Sequence, residues 1–288
     1  MNTELVIHQE GAWTTPDGSS IYTQSWEPSQ GTRGTLVLVH GIGEHSGRYR
    51  HVAEYFCQAG LSTLSFDLRG HGHSDGVRGH ADSYEVLMDD IQHFLEEARH
   101  NSAGCPVYLY GHSMGGSLVL YYGLTRTTLP DGIIATSPGL APAQAISPSK
   151  LWLGKMMAVL WPTLTMKNDL DLSGISRQKE VIDAYIADPL VHPLISARLG
   201  LELINRGAWM CAQERTFPTP LLLMQGTADR LVNKELPRKF AGLVKGDVEY
   251  QSWEGWYHEL HNEVQYTQVL DTMVNWINRH PQNMSLKS

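Results

Sequence analysis

The sequence predicts an α/β protein, in which a mostly parallel sheet is flanked by helices and carries a helical insertion. Two observations carry this prediction. Short apolar runs alternate with helix-like segments over residues 35–136 and again from residue 220 onward, a pattern typical of parallel sheets with helices on both faces. Over residues 139–205 the alternation stops, and helix-like segments interrupted by prolines replace it. The 288 residues could form one large domain with an insertion, or two small domains.

The first part of the chain supplies the strands at one edge and near the centre of the sheet. Two strand-like runs in residues 12–28 surround the turn Pro16-Asp17-Gly18, which predicts an antiparallel edge hairpin. The continuous run T-L-V-L-V over residues 35–39 is expected of a parallel strand buried on both faces. The elements predicted next are a helix over 49–59, a strand over 61–66 and a long helix over 83–100.

The remaining elements divide the chain into a core and an insertion. We predict strands over 107–110, 132–136, 220–226 and 248–253, and helices over 117–124 and 263–278. The predicted core comprises residues 1–138 and 206–288. Residues 139–205 are predicted to form a helical cap over the carboxyl ends of the strands, where parallel sheets place their sites.

Composition excludes several classes of function. The formal net charge of -8 argues against a nucleic-acid partner, which requires a basic face. Three cysteines fit no ligand spacing, and we expect reduced thiols in a cytoplasmic protein. The first ten residues lack the basic and apolar regions of a signal peptide. No apolar run has the length of a transmembrane helix, so we expect a soluble protein.

The segment Gly111-His112-Ser113-Met114-Gly115 is the main candidate for chemistry. It forms a G-x-S-x-G turn between a predicted strand and a predicted helix. Such a turn exposes its serine at the end of the sheet, and its glycines allow close backbone approach. Chance occurrence of this pattern in an ordinary turn is the alternative. The strand before it and the helix after it favour Ser113 as a nucleophile.

A serine nucleophile needs a base and an orienting acid on later loops, in the order serine, acid, histidine. Asp229 is the carboxylate on the loop after strand 220–226, and His258 comes first on the loop after the last strand. His261 lies one helical turn further on and is the alternative base. The backbone N–H groups of Ile42 and Met114 are predicted to form the oxyanion hole.

Two other motifs compete with this site. Gly41, Gly43 and Gly47 resemble a dinucleotide fingerprint, but their spacing is G-x-G-x-x-x-G rather than G-x-G-x-x-G. Residues 71–75 read H-x-H-x-D, like a two-metal site, but Gly76 stands where a further histidine is needed. We therefore predict no cofactor and no metal, and a structural loop in which Asp67 and Arg69 pair locally.

The chain resembles the monoacylglycerol lipase and lysophospholipase branch of the α/β-hydrolases over about residues 12–280. The motifs that carry the resemblance are H-G-I-G-E-H-S-G-R-Y, D-L-R-G-H-G-H-S, G-H-S-M-G-G, G-T-A-D-R-L-V and Y-H-E-L-H-N-E. It implies an α/β-hydrolase fold with Ser113, Asp229 and His258 as the triad, and Ile42 with Met114 as the oxyanion hole. It also implies that Glu44, Arg48 and His261 lie near the glycerol end of the substrate.

This resemblance implies a serine carboxylic-ester hydrolase that releases a fatty acid from monoacylglycerol through an acyl-enzyme. The alternatives are a lysophospholipase, a short-chain carboxylesterase, a peptidase and a catalytically silent binding module. Independently, residues 151–161 are apolar on nearly every face and too short to span a membrane. Such a helix packs on the core, lines an acyl tunnel or touches a membrane surface transiently, which favours a small lipid ester as substrate.

Overall fold

The structure, a computed structural model, describes residues 6–281. The prediction of no signal peptide falls partly on residues 1–5, which lie outside that range. The strands are β1 (Val6–Thr14), β2 (Ser20–Pro28), β3 (Thr35–Val39), β4 (Ser62–Phe66), β5 (Val107–His112), β6 (Gly132–Thr136), β7 (Thr165–Lys167), β8 (Leu194–Ser196), β9 (Arg215–Thr216), β10 (Leu221–Gly226), β11 (Val244–Lys245) and β12 (Val248–Trp253). The α-helices are α1 (Arg50–Gln58), α2 (Tyr84–Asn101), α3 (Met114–Thr125), α4 (Pro148–Leu160), α5 (Lys179–Ala187), α6 (Ala197–Met210), α7 (Glu235–Leu243) and α8 (Tyr266–Arg279).

Eight of these strands form one sheet in the order β1-β2-β4-β3-β5-β6-β10-β12. The strands from β4 to β12 pair in parallel. At one edge β1 and β2 form an antiparallel hairpin, and β2 pairs with β4 antiparallel. The predicted α/β fold and its edge hairpin are therefore confirmed.

Side chains from both faces of the sheet are buried, which explains the continuous apolar run of β3. Val37 and Val39 pack on the face covered by α2 and α3. Leu36 and Leu38 pack on the opposite face, which α1 and α8 cover. Full burial of one such side chain contributes about 1.5–3 kcal/mol. None of the helices within residues 6–281 combines the length and the apolar character that crossing a bilayer requires.

The insertion follows β6 and contains two short strands that the sequence did not predict. β7 and β8 pair antiparallel, and each has three residues, which is too short for a recognisable alternation. Helix α6 runs through the predicted boundary at residue 205. An added Cβ at Gly207 would lie 1.9 Å from the carbonyl oxygen of Leu140, so this helix packs tightly against the start of the insertion.

The loop after β4 differs from the prediction that Asp67 pairs with Arg69. Asp67 Oδ1 accepts hydrogen bonds from the backbone N–H of Ser46 (2.8 Å) and from its hydroxyl (2.6 Å). Arg69 instead donates to Asp90 on α2, at 2.7 and 3.0 Å. The prediction of a local pair is wrong because Asp67 is buried under the loop before α1, whereas Arg69 turns outward to α2.

Candidate active site

Ser113 lies at the junction between β5 and α3. β5 ends at His112 and α3 begins at Met114, so a single residue reverses the chain. Its backbone angles are φ 55° and ψ -116°, a conformation that costs a side-chain-bearing residue about 1–3 kcal/mol. Strain of this kind persists only where the surroundings enforce it, and it presents the Ser113 hydroxyl at the end of the sheet.

The two glycines of the turn are required by close backbone contacts. A Cβ on Gly111 would lie 2.3 Å from the carbonyl oxygen of Gly115. A Cβ on Gly115 would lie 2.1 Å from the carbonyl oxygen of Val39 on β3. Real Cβ atoms do not approach so closely, so only glycine allows α3 to begin this near to β3.

Three side chains from different loops form a hydrogen-bonded chain. The hydroxyl of Ser113 lies 2.9 Å from His258 Nε2. His258 Nδ1 lies 2.7 Å from Asp229 Oδ2. Asp229 stands on the loop after β10 and His258 on the loop after β12, at the same edge of the sheet as the serine. All three side chains are buried, so the contacts lie in a medium of low dielectric constant.

The Asp229 carboxylate is held by three hydrogen-bond donors that the sequence did not predict. Its Oδ1 accepts from the backbone N–H groups of Leu231 (2.8 Å) and Val232 (3.2 Å). Its Oδ2 also accepts from Gln225 Nε2 at 2.9 Å. Burial alone raises the pKa of Asp229, but the charge and hydrogen bond of His258 and the two backbone N–H donors hold the pKa below its usual value. The side chain is therefore a carboxylate at neutral pH.

The electrostatic environment of His258 favours its role as a proton acceptor. Burial lowers the pKa of His258, but the charge and hydrogen bond of Asp229 outweigh burial and leave the pKa raised. Because Asp229 is charged, Nδ1–H donates to it, and Nε2 remains free to accept the proton of Ser113. The nearby His112 ring has its pKa lowered to about 3 by burial and by His258, and it is neutral.

The turn after β3 lies against the serine. An added Cβ on Gly41 would stand 3.2 Å from the Cβ of Ser113. Glu44 Oε1 accepts the backbone N–H of Gly41 at 2.6 Å, which fixes the turn. Within residues 6–281, the backbone N–H groups of Ile42 and Met114 donate to no acceptor, and both residues line the cleft beside Ser113. The arrangement offers two unused donors to a developing oxyanion.

Glu44 and Arg48, predicted to lie near the substrate head group, belong to a buried ion-pair network. Arg48 donates to both carboxylate oxygens of Glu259 at 2.8 Å, and it also pairs with Glu44. Glu44 in addition accepts from the hydroxyl of Tyr49 at 2.7 Å. Burial alone raises the pKa of Glu259, but Arg48 holds that pKa well below its usual value. Sequence reasoning missed Glu259, whose position directly after His258 was the available signal.

His261 is close to these residues but does not face a cavity. Its ring lies 4.7 Å from the ring of Tyr49 and 4.7 Å from that of His112. Burial, which is the largest effect, lowers the pKa of His261 far below its usual value. Neither ring nitrogen has a partner within the described part of the chain. The structure thus places Glu44 at the wall of the site, but Arg48 and His261 behind that wall.

Two cavities meet at Ser113 and His258. The larger is an open cleft of about 430 Å³, whose apolar lining includes Met114, Leu203 and Ile204. The smaller has about 20 Å³, room for roughly one water molecule. It is lined by Glu44, His112, Tyr185 and Glu259 among others. The small pocket also has apolar walls, and Ile42, Leu170 and Leu231 line both cavities.

Helix α4 turns its apolar side chains outward. Ala158 is the one buried residue of the helix, whereas Trp152 is 65% exposed and Val159 is 80% exposed. Residues 151–161 line neither the large cleft nor the small pocket. The acyl-tunnel alternative therefore does not hold for residues 151–161, although Lys150, near the start of the same helix, does line the large cleft.

A strained serine after a parallel strand, with a histidine and a carboxylate on the next loops, defines a serine hydrolase of the α/β-hydrolase fold. Residues 30–265 match the model of the Hydrolase_4 family, which is described as serine aminopeptidase, S33. The chain belongs to this family.

The resemblance to monoacylglycerol lipases is confirmed by similar proteins. The chain is 34% identical over 265 residues to the monoacylglycerol lipase of Mycolicibacterium smegmatis, covering 91% of this chain and 94% of that one. The crystal structure of Paleococcus ferrophilus monoacylglycerol lipase is 33% identical, with a TM-score of 0.80 and coverage of 95% and 99%. An uncharacterized abhydrolase domain-containing protein of Dictyostelium discoideum is 35% identical over 95% of this chain, which spans 29% of that relative's length.

Proposed function

We propose that this enzyme hydrolyses monoacylglycerol to glycerol and a fatty acid through an acyl-enzyme on Ser113. The observation that supports the proposal most directly is the Ser113–His258–Asp229 hydrogen-bonded chain at the mouth of a large apolar cleft. Similarity to monoacylglycerol lipases over nearly the whole chain gives the substrate class. No cofactor takes part in the proposed reaction.

The proposed reaction has two halves. Ser113 Oγ attacks the ester carbonyl carbon while His258 Nε2 accepts the hydroxyl proton. The negative oxygen of the tetrahedral intermediate receives hydrogen bonds from the N–H groups of Ile42 and Met114, each of which stabilises the transition state by about 3 kcal/mol. His258 then gives the proton to the leaving glycerol oxygen. Water deprotonated by His258 attacks the acyl-enzyme and releases the fatty acid, which regenerates Ser113.

The two cavities suggest where each part of the substrate binds. The acyl chain occupies the apolar cleft of about 430 Å³. The glycerol head lies in the small pocket beside the carboxylates of Glu44 and Glu259, while Arg48 and His261 support that wall from behind. The small pocket holds only about one water, so Tyr185 and its cap neighbours must move when glycerol binds.

The outward face of α4 supports a transient contact with a membrane surface. Exposed apolar side chains that cluster on a helix are typical of interaction sites. The helix also carries Lys150 and Lys155 and no acidic residue, which suits an anionic lipid surface. We also propose a cytoplasmic location, with which the free thiols of Cys57, Cys105 and Cys211 agree.

We retain the division into a core and a cap as part of the proposal. The core is residues 1–138 and 206–288, and the cap is residues 139–205, with α6 shared between them. This division assigns the triad to the core and most of the substrate-contacting surface to the cap. The lipid class accepted by the enzyme then depends chiefly on cap residues.

The proposal is tested by a substrate panel. We would measure kcat/KM for monoacyl- and triacylglycerol of one chain length, lysophospholipid, a short p-nitrophenyl ester and an aminopeptidase substrate. We expect monoacylglycerol to be the best glyceride, because triacylglycerol leaves polar groups at the head end unpaired and has two more chains to place. A triacylglycerol rate equal to the monoacyl rate, or a preference for lysophospholipid or peptide, would refute the proposal. Failure of a fluorophosphonate to label Ser113 would instead indicate a silent binding module.

A further inference from the structure

The loop that carries His258, residues 257–263, is held by the cap as well as by the core. We call it the histidine loop. The backbone N–H of His258 donates to the carbonyl oxygen of Gly174 at 3.3 Å, and that of Glu259 donates to Ile175 at 2.8 Å. Both acceptors lie in the cap segment of residues 172–178, which we call the cap brace. The base of the reaction therefore has its backbone fixed partly by the insertion.

Glu263 strengthens this connection with a buried carboxylate. Its side chain is fully buried, and Oε1 accepts from the backbone N–H groups of Tyr257 at 3.0 Å and of Arg177 at 3.3 Å. Oε2 accepts from Arg177 Nε at 2.8 Å. One carboxylate thus ties the residue before His258 to the cap brace. A buried carboxylate is stable only with such partners, because an uncompensated charge is costly to bury.

Further contacts link the far end of the histidine loop to the same segment. The carbonyl oxygen of Asn262 accepts from Ser176 Oγ at 2.8 Å and from Gln178 Nε2 at 2.9 Å. The guanidinium of Arg177 also lies over the ring of Trp256, 5.4 Å from its centroid. The core contributes the bond from Ser137 Oγ to the carbonyl oxygen of His258, at 2.7 Å. The cap brace therefore fixes the loop at both ends.

We propose that Glu263 and Arg177 are positioning residues that orient His258 toward Ser113 by joining the histidine loop to the cap brace. The proposal rests on the function proposed above, because His258 is taken as the base of that reaction. Neither residue touches the reacting atoms. Their effect is on the placement of the imidazole, where a displacement of about 1 Å can cost about 100-fold in rate.

The variants that test the proposal are Arg177→Met, Arg177→Lys and Glu263→Gln. Arg177→Met leaves the buried Glu263 carboxylate without its charged partner, whereas Glu263→Gln leaves no unpaired charge, so Glu263→Gln and Arg177→Lys keep the test valid even where Arg177→Met does not fold. With a short p-nitrophenyl ester, we expect Arg177→Met to lower kcat about 10- to 100-fold with KM nearly unchanged. Arg177→Lys should recover part of the rate, because an ammonium still pairs with Glu263 but cannot reproduce the planar contact with Trp256.

The pH dependence of kcat/KM separates positioning from simple stabilisation. The charged or titratable groups near His258 are Asp229, Glu44, Glu259 and His112. Asp229 raises the pKa of His258, so a displaced imidazole that loosens this contact has a lower pKa. For Arg177→Met, the pH at which kcat/KM reaches half its plateau value, which we call the rate midpoint, should be lower than in the wild type. The plateau value itself should also fall. A residue that only stabilises the fold would leave the midpoint unchanged.

Asp90→Asn provides the matched control. Asp90 is a buried carboxylate that pairs with Arg69, but it lies on α2 and does not contact the histidine loop. We expect it to lower the melting temperature without changing kcat. If Arg177→Met and Glu263→Gln behave like Asp90→Asn in kcat and rate midpoint, the proposal is overturned.

The rate of Ser113 labelling by a fluorophosphonate is measured in parallel, because it reports the action of His258 on Ser113 without any natural substrate. If wild type labels rapidly but hydrolyses no monoacylglycerol, the proposed function fails. Slower labelling of Arg177→Met would then still support positioning, and wild-type labelling rates in both variants would exclude it.

Discussion

The pKa of His258 results from two opposing effects on one buried imidazole. Burial disfavours the charged ring, whereas Asp229 favours it through its charge and a 2.7 Å hydrogen bond. Asp229 remains a carboxylate because the charge and hydrogen bond of His258, together with the backbone N–H groups of Leu231 and Val232, outweigh burial and lower its pKa. The hydrogen bonds around the acid therefore determine both the tautomer and the basicity of the base.

Removal of the proposed nucleophile, Ser113, or of the proposed base, His258, should abolish activity without unfolding the protein. We expect Ser113→Ala and His258→Ala to lower kcat about 10⁴- to 10⁶-fold, because triad members act as a unit. Ser117→Ala, one turn further along α3, is the control and should remain active. Rates are compared with melting temperatures. Activity that survives in His258→Ala but is lost in His261→Ala would show that His261 is the base.

The pH profile follows from the raised pKa of His258. The imidazole must be neutral to accept the proton of Ser113, so kcat/KM should rise with pH through a midpoint above the usual histidine value of about 6.5. Asp229→Asn should lower the rate about 10⁴-fold by removing the charge that sets the tautomer, and shift the midpoint to lower pH. An Asp229→Asn midpoint equal to or above that of wild type would contradict this account.

Helix α4 shows that an apolar sequence does not reveal which side of a helix is buried. The sequence showed that residues 151–161 are apolar, but not the direction in which their side chains point. A helix that is apolar on nearly every face carries no period from which its buried side can be read. In the structure α4 packs on α6, Ala158 is its one buried residue, and its large side chains face outward.

A charge on the exposed face of α4 should weaken action on lipid surfaces selectively. We expect Trp152→Glu to reduce binding to anionic vesicles and to slow hydrolysis of vesicle-borne monoacylglycerol about tenfold, since one buried Trp contributes a few kcal/mol at most. Hydrolysis of a short soluble ester should be unchanged. Ile7→Glu, which alters an exposed apolar residue on β1, is the control. Equal losses on both substrates would mean that Trp152 supports the fold rather than a surface contact.

At the scale of the whole molecule, burial is distributed unevenly between the sheet and helix α4 of the insertion. The strands at the centre of the sheet are buried on both faces, whereas α4 has one buried residue. In native-state hydrogen exchange we expect amides of β3 and β5 to exchange only through global unfolding, and those of α4 to exchange fastest among the helices. Protection of α4 equal to that of β5 would contradict this distribution.

The sequence predicted the sheet well because its signals are local. The run at residues 35–39 and the turn around Ser113 each carry their own geometry within a few residues. Asp229 and His258 followed from their places after strands. Arg48, His261 and Glu259 could not be placed, since their positions depend on contacts between distant segments, such as the 2.8 Å pair that joins residues 48 and 259. The three-residue strands β7 and β8 were missed for lack of length.

The neighbouring positions of β6 and β10 in the sheet have a consequence for how substrate range can change. Because these strands pair directly, the insertion leaves and rejoins the sheet at adjacent places, and a segment grafted between them need not disturb the strand order. Homologous caps could therefore be exchanged between relatives to alter which lipids are accepted. The grafted cap would have to contain residues equivalent to the cap brace. By the proposal above, a cap without an arginine that pairs with Glu263 would change the pocket but leave His258 poorly oriented toward Ser113.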